Sequence, residues 1–149
     1  PCQYTNLCAV CQAQLRIMKV RYPKPGIVYK GAIPVAEIAL NTSDKYLTIL
    51  ISALLGNAYK FTQEGTISLE CDRLGDDRVF VAVADTGCGI PPEKHGYVFE
   101  RFTKLDPFSQ GNGLGLYLCR LIVTHLHGEI YIDSGYTGGT RIVAILPRR

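Results

Sequence analysis

The sequence contains no tryptophan and a single methionine in 149 residues, and only 19% of its residues are charged. Net charge is +3, with no Lys/Arg block beyond the terminal Arg148-Arg149, so the basic footprint of a nucleic-acid binder is missing and no nucleic-acid partner is expected. No stretch approaches the roughly 20 continuous apolar residues of a membrane span, so direct membrane contact is not expected either. Pro1-Cys2-Gln3-Tyr4 does not open a signal peptide, and the missing initiator Met suggests a soluble, cytoplasmic fragment of something longer. Internal repeats and low-complexity stretches are also absent. Cysteine is not scarce, with six residues and a CxxC at Cys8-Ala9-Val10-Cys11. Yet no second CxxC or His pair supplies further zinc ligands, and the expectation is small buried apolar residues in a reducing cytosol.

What is present is a large apolar fraction, 47%, enough for residues 1–149 to form one domain with its own core. Leu7, Val10, Leu15, Ile17 and Met18 suggest a first helix, stopped by Tyr22-Pro23-Lys24-Pro25-Gly26; residues 1–26 form this helix and its linker. Val35 to Leu40 reads as a strand. Leu47, Leu50, Ile51, Leu54, Leu55, Ala58 and Phe61 recur at helical spacing from a Ser43 or Asp44 cap. Thr66 to Leu74 and Arg78 to Asp85 read as a hairpin, Leu114 to Leu126 as a helix, and Gly128 to Ser134 with Thr140 to Leu146 as a second hairpin. Strands grouped apart from helices point to an α+β fold, a two-layer sandwich with helices on one face of a mixed sheet.

Two glycine clusters carry the chemistry. In Asp85-Thr86-Gly87-Cys88-Gly89-Ile90 the carboxylate ends the apolar run Val79 to Ala84, so a strand would deliver it to a pocket floor where it can accept from a base amino group. Glycines allow backbone to approach a ligand. In Gly111-Asn112-Gly113-Leu114-Gly115-Leu116 the glycines precede a helix, whose free N–H groups and positive dipole end favour phosphate. This is not GxGxxG and follows a loop, against a Rossmann site. On the helix from Asp44, Ile49, Ala53, Asn57 and Lys60 share one stripe; Asn57 offers an amide oxygen to a hard cation and Lys60 a positive charge to phosphate. Asp-Thr-Gly also marks aspartic proteases, but no second copy occurs and Cys88 stands where a small residue is usual, so that reading is set aside.

In order and spacing these segments resemble the ATP-binding catalytic domain of bacterial sensor histidine kinases, within the group that includes DNA gyrase B. Asn57 to Thr62 resembles the asparagine box, Asp85 to Gly89 the first glycine box, Phe99-Glu100-Arg101-Phe102 the phenylalanine box and Gly111 to Leu116 the second glycine box. The resemblance implies an ATP lid over residues 91–112, with Phe99 to Phe102 as a short helical turn. It implies nucleotide contacts from Asn57, Lys60, Phe61, Asp85, Gly87, Gly89, Ile90, Gly113, Leu114, Gly115, Leu116 and Thr140, with Mg²⁺ at Asn57.

The implied activity is transfer of the γ-phosphoryl group of Mg-ATP to a histidine on a dimerisation domain outside this chain, with a response regulator downstream. None of His95, His125 and His127 has the helical context of the acceptor. The chain departs from the family where Ile49 replaces an acid or amide and Ala53 a second asparagine. The alternative is therefore a degenerate nucleotide-binding regulatory module; a gyrase-like clamp lacks its transducer domain.

Overall fold

The computed structural model describes residues 4–87, 99 and 115–148. The chain enters as β1 (Tyr4–Asn6) and turns directly into α1 (Leu7–Arg21). Asn6 makes that junction: its Oδ1 accepts from Cys8 N at 3.1 Å, capping the helix, and from Ile38 N at 3.2 Å, tying down a distant loop. After α1 come β2 (Ile27–Ala32), β3 (Ala39–Asn41) and α2 (Asp44–Phe61). Ser43 caps α2, accepting from Tyr46 N at 3.3 Å. The anticipated 3.6-residue repeat is the buried face of α2: Leu47, Leu50, Ile51, Leu54, Leu55 and Ala58.

The strand expected over Val35 to Leu40 is corrected to its last two residues, Ala39 and Leu40, within β3. Val35 is fully exposed in a bend, and the paired segments lie on either side of it, at Ile27–Ala32 and Ala39–Asn41. Pro34 lacks the N–H a ladder needs, and the pairing in this region falls to the β-branched run that begins at Ile27. Both hairpins are present: β4 (Gly65–Leu74) with β5 (Arg78–Asp85), and, after α3 (Gly115–His125), β6 (Glu129–Ile132) with β7 (Thr140–Pro147).

Five strands form one sheet in the order β2-β4-β5-β7-β6, with β2 parallel to β4 and the other neighbours antiparallel; β1 and β3 pair separately. Alternate residues Ile67, Leu69, Cys71, Val79, Val81, Val83, Ile142, Ala144 and Leu146 face all three helices in a single core, which also takes in Phe99. This is the mixed-sheet, two-layer α+β sandwich the sequence implies. On the opposite face Arg141 reaches Glu70 and Asp133, each at 3.0 Å, and so clips β7 to β4 across β5. Among the described residues, no helix is long and apolar enough to cross a membrane.

Candidate functional site

Asp85 is the last residue of β5 and stands opposite Thr140, the first of β7. Its residue is only 4% exposed. Burial pushes its carboxyl above the usual carboxylate range, and backbone N–H donation from Gly87 and Thr140 opposes that rise. The Gly87 bond is 2.9 Å, to Oδ1. A hydrogen-bond acceptor is thus held where few water molecules reach it, which favours a complementary donor beside it.

Close backbone packing fixes this turn. A Cβ on Gly139 would overlap the Asp85 carbonyl, and a Cβ on Gly87 would overlap the Phe61 carbonyl at the end of α2. Thr86 Oγ1 accepts from Thr66 N at 3.0 Å, binding the turn to the start of β4. The end of α2 therefore abuts the turn after β5, the Phe61 carbonyl against Gly87, and the residues of the last helical turns, Asn57, Lys60 and Phe61, come with it. Asn57 and Phe61 are half-buried, Lys60 is exposed, and the Lys60 ammonium stands 5.5 Å from the Phe61 ring centroid.

The third component is α3. The rings of Tyr46 and His125 meet edge to face at 5.2 Å, so the start of α2 lies beside the end of α3 and the two helices run antiparallel. Equal rise along both helices then brings Gly115, the first residue of α3, level with Gly56 and Asn57. Gly115 is exposed and Leu116 is buried as the inner anchor of that helix start. Asn57, Lys60, Phe61, Asp85, Gly87, Gly115, Leu116 and Thr140 thus lie toward one end of the sandwich. Gly89, Ile90, Gly113 and Leu114 lie outside the described residues, as do residues 91–112 apart from Phe99. Phe99 is in a turn and buried.

Ile49 and Ala53 are half-buried and packed against the core. Thr62, which closes the asparagine box, is fully buried; sequence reasoning passed over Gly65, whose Cβ would collide with the Thr86 hydroxyl.

The cysteine expectation is met at four positions: Cys8, Cys11, Cys71 and Cys119 are free and buried. Burial raises the Cys8 thiol to about 11 and the Cys119 thiol to about 12. Hydrogen bonding to Cys11, with burial, pushes Cys71 up further.

A family model described as histidine kinase-, DNA gyrase B- and HSP90-like ATPase matches residues 42–149. The adaptive-response sensory kinase SasA of Gloeothece citriformis is 33% identical over 150 residues, covering 97% of this chain and 38% of the relative. Histidine protein kinase DivJ of Caulobacter vibrioides is 31% identical over 139 residues, covering 91% of this chain and 23% of its own length. The chain therefore spans well under half of these relatives. Among solved structures, the mycobacterial sensor histidine kinase MprB superposes with a TM-score of 0.84 at 24% identity, covering 100% of this chain and 99% of the other. Full-length ShkA in complex with AMPPNP gives 0.84 at 25%, covering 98% of this chain and 31% of that one. The chain belongs to the histidine kinase-, DNA gyrase B- and HSP90-like ATPases, as an ATP-binding catalytic domain of the sensor histidine kinase kind.

Proposed function

We propose that this domain binds Mg-ATP and passes the γ-phosphoryl group to a histidine carried by a dimerisation domain outside the chain, which then serves a response regulator in the cytoplasm. The observation that carries the reading is the buried Asp85 carboxylate, held by Gly87 and Thr140 at the same end of the sandwich as the end of α2 and the start of α3. In this reading residues 1–149 act as one domain, with residues 91–112 as the lid.

Each residue has a chemical task. Asp85 accepts from the adenine amino group, Thr140 supports that carboxylate from β7, and Phe61 offers an aromatic face beside the base. Gly87, Gly89 and Ile90 shape the base pocket. Lys60 gives charge to phosphate, and the α3 N-terminus, with Gly113, Leu114, Gly115 and Leu116, gives backbone donors and the positive dipole end. No group of three His, Cys, Asp or Glu among the described residues is arranged to hold a metal. A divalent cation fits here with the Asn57 amide oxygen and nucleotide phosphates as its ligands, where it would neutralise phosphate charge.

In transfer, a nitrogen of the acceptor imidazole bonds to the γ-phosphorus as the bond to the bridging oxygen breaks, leaving ADP. Positioning and charge stabilisation supply most of the rate. The imidazole proton must leave to solvent or to a base from the acceptor domain, since Ile49 and Ala53 cannot take it. Those two apolar residues favour a second reading, a nucleotide-sensing module with little transfer.

A radiolabelled ATP assay using this chain and a separately made dimerisation domain of the parent protein tests the proposal. Label on the acceptor histidine supports it. Nucleotide binding without label supports the sensing module.

A further inference from the structure

The linker between α1 and β2 grips the end of α2. In Pro23-Lys24-Pro25-Gly26-Ile27 the two prolines restrict the backbone on both sides of Lys24. Ile27 N donates to Lys24 O at 3.0 Å, which closes a β-turn with Pro25 second and Gly26, at φ 88°, third, the pattern of a type II turn. Gly65 N donates to Gly26 O at 2.8 Å, so the turn is tied to the segment that follows α2, and Lys24 is presented to the helix end on a fixed backbone. Its Nζ donates to Thr62 O at 3.2 Å and stands 5.1 Å from the Tyr59 ring centroid. The Tyr22 ring lies 5.3 Å from that of Tyr59, and the Tyr29 hydroxyl donates to Tyr22 O at 2.9 Å.

Thr62 is the C-cap of α2 and is 0% exposed. A cation there meets the negative end of the helix dipole, and without it the Thr62 carbonyl loses a charged donor at a place that water does not reach. The residue before it, Phe61, lays its carbonyl against Gly87, whose N–H donates to Asp85 Oδ1. We propose that Lys24 is a positioning residue for nucleotide binding: without touching the nucleotide, it fixes the α2 end so that Asn57, Lys60 and Phe61 meet the same ligand as Asp85. With the charge removed, the α2 end shifts toward another donor and takes the Phe61 carbonyl away from Gly87. The proposal rests on the reading of Asp85 and the last turns of α2 as the nucleotide site.

The test is calorimetry of ADP binding to the full chain and to Lys24→Met, Lys24→Arg, Met18→Ala and Asp85→Asn, with urea unfolding of each without nucleotide. Lys24→Met keeps an unbranched stem beside Tyr59 but removes the charge, and should bind about 3- to 10-fold more weakly at a temperature where it is fully folded. Lys24→Arg should bind within about twofold of the parent. Met18 is buried on α1, so Met18→Ala should lower the unfolding midpoint yet leave the affinity of the folded domain unchanged. Parental affinity in Lys24→Met alongside weak binding by Asp85→Asn overturns the role of Lys24 and leaves the nucleotide site standing. Equal weakening by Lys24→Met and Met18→Ala, or no rescue by arginine, makes Lys24 a general stabiliser and also overturns the proposal. If Asp85→Asn binds like the parent, the reading of the site itself has failed, and Lys24 falls with it.

Discussion

Gly139 lies so close against the carbonyl of Asp85 that no side chain fits between them, and its φ of 154° is one that L-residues rarely adopt. Gly139→Ala should therefore destabilise the domain by about 2–4 kcal/mol, combining overpacking with backbone strain. Gly56 is the counter-case: it is exposed in α2, and a Cβ there would meet nothing within 4 Å. Gly56→Ala should stabilise by about 0.5–1 kcal/mol, the difference in helix propensity. Denaturant midpoints of the two variants should move in opposite directions.

Asp85→Asn should weaken adenine nucleotide binding by about 1–3 kcal/mol, because a buried donor then meets a mismatched partner. Its effect on the ligand-free fold has the other sign. The folded carboxyl titrates above its unfolded value, so the folded state binds the proton more tightly, and the stability this gives at low pH is lost as pH rises through the folded pKa. At neutral pH the asparagine variant should be at least as stable as the parent, with its relative advantage shrinking as pH falls through that window. Unfolding curves at pH 7 and pH 4 check this.

Ala53→Asn should strengthen the Mg²⁺ dependence of ATP binding, since it sets a second amide one turn before Asn57. Ile49→Glu places a carboxylate where the side chain now packs on the core, and should lower stability by about 1–3 kcal/mol. If the wild-type chain is a crippled kinase, the double variant should transfer phosphate to a supplied acceptor about 10- to 100-fold faster. Unchanged transfer would sink the idea that these positions limit the chemistry.

With Cys2 and Cys88 replaced by serine, the native chain should resist thiol reagents at pH 7.5, because the remaining cysteines are buried and burial holds Cys8 and Cys119 far from the thiolate form. All four should react once the chain unfolds. Time courses in and out of denaturant separate the two states.

Periodicity made α2, both hairpins and α3 readable, since each repeats its apolar residues at the spacing of its own geometry. It failed around Val35, where an apolar stretch carries no pairing, and at Tyr4–Asn6 and Ala39–Asn41, where three-residue strands are too short to show a period. The candidate site was proposed from residue types with few structural uses, Asp85 at a strand end and glycines in clusters. The burial of Thr62 and the pairing of Asp85 with Thr140 were not legible, because the first depends on three-dimensional neighbours and the second is a property of sheet register.

β7, which brings Thr140 to Asp85, is an inner strand of the sheet although α3 and β6 separate it from β5 in the sequence. During synthesis β5 emerges before β7, and one of its edges stays open until β7 arrives. Retention on immobilised nucleotide would thus report whether β7 has docked, because a polypeptide halted before Gly139 presents a carboxylate without its Thr140 neighbour.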